Sequence, residues 1–250
     1  MGLLFLFTKT QDMPQKILAD IHTHILPGVD DGARNTDIAI NMLKREAGMG
    51  TRLIVLTPHY VCGRSRCDAA ELRLKYENLK HEPEVETLRL TLVLGNELFY
   101  SPELLSRLTD GSALTIGDTI AVLLEFPVNG SAKSITEGCR TIYNGGYRVI
   151  LAHIERYQNL DDEAVETLLN MNVSFQMNAS YAKGLLKPVL GRRRWHKNLL
   201  REGLISYIAS DAHDMNDRAP RLYAEEIGKA FPEYAEAMLY RNAEKLLRGS

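Results

Sequence analysis

The chain has 250 residues, of which 45% are hydrophobic, and this length supports one sizeable core but not two comfortable domains. The formal net charge of −2 excludes an overall electrostatic attraction to a nucleic-acid backbone or an anionic membrane, so an anionic ligand must meet local positive charge. Three cysteines exclude a dense disulfide framework and favour a reducing, cytoplasmic setting.

The chain opens with the apolar run MGLLFLF, followed by polar residues. This run is too short to span a membrane and lacks the basic leader of a signal peptide. An N-terminal strand or a tucked tail is its usual role, and a loose contact with a membrane or partner is the alternative. We predict an N-terminal extension over residues 1–16 and no stable membrane insertion.

Short apolar runs alternate along the chain with stretches of helical periodicity, which is the pattern of βα units around a buried parallel sheet. Strands are predicted over residues 17–21, 53–56, 90–94, 120–124, 149–151, 173–175 and 205–208. Helices are predicted over residues 37–47, 69–80, 133–143, 162–170 and 192–201, and after residue 220. This order fits either an open doubly wound sheet or a closed barrel.

Polar residues at the strand ends favour the barrel. Nearly every predicted strand is followed by a His, Asp or Glu. A barrel gathers the carboxyl ends of its strands around one rim, where barrel enzymes place their active sites. We therefore predict a single-domain α/β fold with a barrel of about seven strands.

The first strand ends in the sequence DIHTH, with His22 and His24 two residues apart. Alternation along a strand places both imidazoles on the same side, where they can converge on one ion. Taken alone, the pair is a moderate signal, because ordinary core or surface histidines also occur at this spacing.

Further imidazoles and carboxylates follow the later strands. They are His59 in TPHY, Glu97 in GNE, Glu125 in LEFP, His153 in LAHIERY, and Asp211 and His213 in SDAH. Burying such groups without partners is costly, so their accumulation at one rim indicates bound cations. Imidazole and carboxylate ligands suit zinc, manganese or iron, whereas a thiolate-rich site is excluded because no cysteine lies at these strand ends.

Eight or nine ligands are too many for a single ion. A cluster of two or three metals with a bridging carboxylate fits them, and such clusters activate water and hold phosphoryl oxygens during in-line displacement. Asp31, in the turn Asp30-Asp31-Gly32, is the candidate for a further ligand. A solvated turn with helix-capping acids is the equally open alternative for this turn.

Six motifs, in the order DIHTHILPGVDDG, TPHY, GNE, LEFP, LAHIERY and SDAH, resemble the polymerase and histidinol phosphatase (PHP) superfamily, and more narrowly its bacterial protein-tyrosine-phosphatase branch. The resemblance runs from about Asp20 to Arg218. It implies a distorted (β/α)7 TIM-like barrel of the PHP type, with the phosphatase domain over residues 17–248. It also implies three divalent metal ions, manganese, iron or zinc, with manganese favoured.

The resemblance divides the nine candidate ligands into three sets. The first ion takes His22, His24, Glu97 and Asp211. The second shares Glu97 and takes Glu125 and His153, and the third takes Asp31, His59 and His213. Every position carries the residue type that the family pattern requires, which implies an active enzyme.

Two arginines, Arg156 in HIER and Arg218 in NDRAP, match family positions that bind the substrate phosphate. Planar guanidinium groups suit phosphate oxygens, although either residue alone would more often be a surface ion-pair partner. The implied substrate is a phosphotyrosine protein, the tail of a bacterial tyrosine kinase linked to capsular or exopolysaccharide production. A metal-activated water would attack phosphorus, and the cysteines would be bystanders.

Three alternatives stay open at this point. The metal site could act on a small phosphomonoester such as histidinol phosphate, which other members of the superfamily hydrolyse. An exonuclease is disfavoured by the slightly acidic composition. A non-catalytic regulatory module is disfavoured by the intact ligand set.

One basic run falls outside these motifs. The sequence RRRW, residues 192–195, begins a predicted helix. We interpret it as a basic outer helix face in preference to a contact for an anionic partner.

Overall fold

The computed structural model describes residues 18–216 and 221–248, without the side chains of residues 221–223. Within these residues the strands are β1 Leu18–Thr23, β2 Thr51–Leu56, β3 His59–Tyr60, β4 Thr91–Leu94, β5 Glu97–Phe99, β6 Ala121–Glu125, β7 Arg148–Leu151, β8 Ser174–Asn178 and β9 Ile205–Ala209. The helices are α1 Thr36–Gly48, α2 Ala69–Lys80, α3 Pro83–Glu86, α4 Leu104–Thr109, α5 Ala132–Asn144, α6 Asp162–Asn170, α7 Ala179–Gly184, α8 Gly191–Arg201, α9 Arg221–Ala230 and α10 Asn242–Leu247. A 3-10 turn, Ile154–Arg156, follows β7, and a π-helical turn, Ala237–Arg241, precedes α10.

All the strand pairs are parallel, in the orders β1-β2-β4 and β3-β5-β6-β7-β8-β9. β3 and β5 extend β2 and β4 after breaks at Thr57-Pro58 and Gly95-Asn96. Pro58 lacks an amide hydrogen and interrupts the ladder. Backbone bonds from Gly95 N to Leu56 O (2.9 Å) and from Glu97 N to Pro58 O (3.1 Å) keep the broken strands aligned.

The barrel closes where the end of β9 meets β1. His24 N donates to Ala212 O and Asp211 N donates to His22 O, both at 2.9 Å, and Ser210 N donates to Asp20 Oδ1 at 3.0 Å. If each broken strand is counted once, seven strands complete the described barrel. The predicted distorted (β/α)7 TIM-like barrel is confirmed.

The barrel interior is apolar at the amino ends of the strands. Leu53, Leu123 and Ile150 pack there with Ala243 and Leu246 of α10, which covers this end. The interior becomes polar only towards the carboxyl ends. No helix in the described part of the chain is both long enough and apolar enough to cross a bilayer.

Helix α2 begins and ends at the predicted residues because its N-terminus carries a cap: the Asp68 side chain accepts a hydrogen bond from Glu71 N. β8 was predicted to end at residue 175, since polar residues follow. The strand continues to Asn178, and the polar side chains of Gln176 and Asn178 are buried. The short helices α3, α4 and α7 carried too little periodicity to be predicted. The predicted extension over residues 1–16 lies outside the described residues.

Candidate metal centre

The nine predicted ligands lie at the carboxyl ends of the strands. β1 supplies His22, and His24 follows it directly; the others lie in the β1–α1 turn, in β3, β5 and β6, or just after β7 and β9. Two ligands, His153 and Asp211, adopt left-handed backbone conformations with φ of 30° and 56°. Such conformations are unfavourable for residues other than glycine and concentrate at functional sites.

The ligand atoms form three groups, in each of which all atoms lie within 4.8 Å of one another. The first group is His22, His24, Glu97 and Asp211; the second is His24, Asp31, His59 and His213; the third is His59, Glu97 and Glu125. His153 adjoins the third group, since its Nε2 lies 2.8 Å from Glu97 Oε1 and 3.4 Å from Glu125 Oε1. The structure therefore brings all nine predicted ligands together.

The first group is the most enclosed, because all four of its side chains are buried. His22 Nε2 lies 3.3 Å from both His24 Nε2 and Glu97 Oε1. Asp211 Oδ1 lies 3.4 Å from His22 Nε2 and 3.5 Å from His24 Nε2. Two imidazole nitrogens and two carboxylate oxygens thus face a common point, which is a donor set that suits a first-row divalent ion.

The neighbouring groups overlap more than the ligand sets that the family resemblance implies. His24 belongs to the second group as well as the first. His59 places Nδ1 2.9 Å from Glu97 Oε2 and Nε2 3.4 Å from Asp31 Oδ1. Glu97 Oε2 is buried and faces imidazole nitrogens of His24 and His59 without a hydrogen bond of normal geometry, so its lone pairs are suited to bind a cation.

Asp30 orients two of the histidines. Its Oδ2 accepts hydrogen bonds from His24 Nδ1 (2.7 Å) and His59 N (3.1 Å), and its Oδ1 accepts one from Gly32 N (2.9 Å). A carboxylate on Nδ1 directs His24 Nε2 to the ligand group and fixes the ring. Asp31 was the predicted ligand in this turn, and Asp30 was not among the predicted site residues.

Gln176 and Asn178, inside β8, connect the ligand groups by hydrogen bonds, and neither was among the predicted site residues. Gln176 Oε1 accepts hydrogen bonds from His153 N (2.6 Å) and from His22 Nδ1 (3.2 Å). Gln176 Nε2 donates to Asn178 Oδ1 (2.8 Å), and Asn178 Nδ2 donates to Asp211 Oδ2 (2.9 Å). The alternation of polar and apolar residues in SFQMN was the signal that could have identified this inward-facing pair.

Arg156 lies on the 3-10 turn at the rim. Its Nη2 donates to Asp211 Oδ2 at 2.5 Å, and its side chain is 42% exposed. The guanidinium therefore adjoins the ligand groups and also faces solvent. Arg218 lies outside the described residues, and the phosphate-binding role of both arginines stays a prediction.

Opposite charges hold the ligands together. Burial lowers the pKa of His24, but the adjacent carboxylates of Asp211, Asp30 and Glu97 outweigh it and raise the pKa well above its ordinary value. Burial likewise lowers the pKa of His153, yet bonds with Glu125 and Glu97 raise it to about 9. Burial raises the pKa of Glu97, and the surrounding histidines lower it well below its usual range.

These directions predict how pH changes the effect of a metal on stability. The pKa of His153 rises from 6.5 to about 9 on folding, so its protonated form stabilises the metal-free fold below pH 6.5. That contribution is lost as the pH rises through about 9. A metal ion needs the neutral imidazole and competes with this proton. In thermal melts, the increase in Tm on adding Mn²⁺ to chelated protein should therefore grow over this range; a constant increase would contradict the assignment of His153.

Comparisons with known proteins agree with the site. The family model described as capsular polysaccharide synthesis, CpsB/CapC, matches residues 18–248. Tyrosine-protein phosphatase CpsB of Streptococcus agalactiae serotype III (strain NEM316) is 29% identical over 245 residues, covering 92% of this chain and 98% of its own length. Tyrosine-protein phosphatase YwqE of Bacillus subtilis (strain 168) is 30% identical over 237 residues, covering 92% of each chain.

A solved structure matches almost the whole fold. It is one of the crystal structures of YwqE from Bacillus subtilis and CpsB from Streptococcus pneumoniae, which are described as unique metal-dependent tyrosine phosphatases. The match has a TM-score of 0.81 and 28% identity, and it covers 94% of this chain and 95% of the other. The predicted resemblance is confirmed, and the chain belongs to the CpsB/CapC family of capsular polysaccharide synthesis.

Proposed function

We propose that the protein is a metal-dependent protein-tyrosine phosphatase whose phosphatase domain spans residues 17–248. The observation that carries this proposal is the gathering of nine imidazole and carboxylate ligands at one barrel rim, in a chain of the CpsB/CapC family. The relatives named above are tyrosine-protein phosphatases over nearly the same length.

The proposed cofactors are three divalent ions, with manganese favoured over iron and zinc. Bound there, they supply an activated water and neutralise charge on phosphoryl oxygens. The three ligand groups and the absence of thiolates among them support this number and this class of metal. We retain the ligand sets that the family resemblance implies, in which Glu97 would be shared by the first and second ions.

The chain's own residues then bind and orient the phosphate. Arg156 has N–H donors beyond the one on Asp211, and its exposure lets them meet an incoming phosphoryl oxygen. Arg218 is proposed as its counterpart. Asp30 and Gln176 hold His24 and His22 in place, so the site need not rearrange as negative charge develops.

The tyrosinate leaving group reduces the need for a general acid that protonates the departing oxygen. A tyrosinate leaves readily, since the pKa of the parent phenol is about 10. Protonation of the departing oxygen therefore matters less than for an alkyl phosphate. The charge-neutralising groups of the site carry the larger share of the barrier reduction.

A cysteine nucleophile is disfavoured by the surroundings of the candidate thiol. Cys67 and Arg73 are separated by five residues, the spacing found in cysteine phosphatases. However, burial and contact with Glu71 raise the pKa of Cys67, which opposes formation of a thiolate. Arg73 lies inside helix α2 rather than in a loop around the thiol. The cysteines are therefore retained as bystanders.

The proposed physiological substrate is a phosphotyrosine tail of a bacterial tyrosine kinase, dephosphorylated in the cytoplasm. A substrate panel on metal-loaded protein tests this choice. We expect a phosphotyrosine peptide to be hydrolysed with kcat/KM at least tenfold above that for histidinol phosphate or a phosphoserine peptide, an effect of about 1.4 kcal/mol on the barrier. Preference for histidinol phosphate would reassign the substrate, and degradation of single-stranded DNA would reassign the class.

A further inference from the structure

The arginines at the start of helix α8, which we call the arginine patch, are Arg192, Arg193 and Arg194. The structure changes their interpretation as an ordinary outer helix face. β8 ends at the rim, and α8 runs from there towards the amino end of β9. The arginine patch therefore lies at the rim end of its helix.

One contact places Arg192 next to the rim segment that carries Arg156. Arg192 Nη2 donates to the carbonyl oxygen of Tyr157 at 2.9 Å. Tyr157 directly follows Arg156, whose guanidinium binds Asp211. A polypeptide with its phosphate at the metal ligands would thus pass close to the patch.

Aromatic side chains hold two of the three guanidinium groups. Arg192 stacks over Trp195 at 3.8 Å from the ring centroid, and Arg193 lies over Tyr181 at 5.0 Å. Arg193 also packs so tightly on Gly184 that an added Cβ there would lie 2.5 Å from Nη2. Stacking restricts these side chains while leaving N–H donors for an anion.

No close ion pair neutralises the charges of the patch. Among the described residues, no carboxylate lies within 4.0 Å of a guanidinium nitrogen of the patch. Asp161 and Asp162 act on Arg192 only from a longer distance. The Asp162 carboxylate accepts a hydrogen bond from Trp195 Nε1, and Asp161 caps helix α6. Three cations in the first turn of a helix also oppose its dipole, so helix stability does not account for them.

We propose that the arginine patch is a docking surface for the acidic residues that flank the phosphotyrosine of a polypeptide substrate. This inference rests on the proposed phosphatase function and deepens it. Carboxylates along the substrate chain would pair with Arg193 and Arg194, while the phosphotyrosine occupies the metal centre. The surface would select the substrate by charge and leave the chemistry to the metal site.

The test compares two phosphotyrosine peptides that differ only in Glu or Gln at the flanking positions. The variant Arg193→Ala/Arg194→Ala keeps Arg192, which contacts the rim. The control Arg201→Ala/Lys245→Ala removes the same charge from exposed residues at the other end of α8 and on α10. We expect the ratio of kcat/KM for the acidic over the neutral peptide to fall roughly fivefold in the first variant and to stay constant in the control. The fall should shrink at high salt.

A binding arm separates this proposal from the proposed function. Binding of the unphosphorylated acidic peptide, measured by fluorescence polarisation at low salt, should weaken roughly fivefold in the Arg193→Ala/Arg194→Ala variant. If the wild type hydrolyses neither peptide but the variant still binds the acidic peptide more weakly than the wild type does, the docking surface is supported and the phosphatase function is rejected. Equal binding and an equal peptide ratio in variant and wild type would overturn the arginine patch while leaving the phosphatase intact.

Discussion

Glu97→Gln is expected to lower metal-dependent hydrolysis of an aryl phosphate by about 10³-fold. Glu97 is central to the site, since it contacts His22, His24, His59 and His153 within 3.4 Å and belongs to two ligand groups. Glutamine keeps the size of the side chain but removes the negative charge that compensates the ions. We expect the purified variant to retain fewer metal ions as well as less activity.

The measurement is elemental analysis together with hydrolysis of p-nitrophenyl phosphate. Glu137→Gln is the matched control, because Glu137 is an exposed glutamate on α5 whose described ion pair is with Lys133. That control should match the wild type in both measurements. A Glu97→Gln protein with full metal content and activity within tenfold of wild type would contradict the bridging role.

Gly32→Ala is expected to disturb the turn that presents Asp30 and Asp31. A Cβ at Gly32 would lie 2.0 Å from the His24 carbonyl oxygen and 2.6 Å from His24 Cβ. These atoms belong to the backbone and the root of a ligand, so they cannot move aside without displacing the imidazole. Overpacking of this kind typically costs about 1–3 kcal/mol in stability, and the displaced imidazole should also weaken metal binding.

Gly48→Ala provides the comparison for this steric argument. Gly48 ends helix α1, and no heavy atom lies within 4 Å of an added Cβ. We expect this variant to be as stable as the wild type or more stable by about 0.4–1 kcal/mol. Urea unfolding measures both stabilities, and chelator competition measures metal affinity. If Gly32→Ala matched Gly48→Ala in both stability and metal affinity, the steric argument for Gly32 would be contradicted.

The sequence predicted the barrel because its strand runs and their polar ends carry independent signals. The apolar runs predicted the seven strands, counting each broken strand once. The His and Glu residues that follow these runs favoured a closed barrel over an open sheet. The breaks that separate β3 from β2 and β5 from β4 were not predicted. Pro58 interrupts one ladder, but where a ladder resumes depends on neighbouring strands rather than on local sequence.

The candidate ligands could be found from sequence because each follows an apolar strand. Their supporting residues were harder to find. Gln176 lies within a strand, where its polarity suggested an end to β8 instead of an inward-facing amide. Arg192 looked like a surface residue because its contact with Tyr157 joins parts of the chain 35 residues apart. Tertiary contacts of this kind are not encoded by local periodicity.

The most direct test of the metal-dependent phosphatase assignment measures metal content and phosphotyrosine-peptide hydrolysis on one preparation, before chelation, after chelation and after Mn²⁺ is restored. We expect three divalent ions per chain in the active protein, loss of hydrolysis when they are removed, and recovery when Mn²⁺ is returned. Hydrolysis at an undiminished rate by the fully metal-free protein would contradict the assignment.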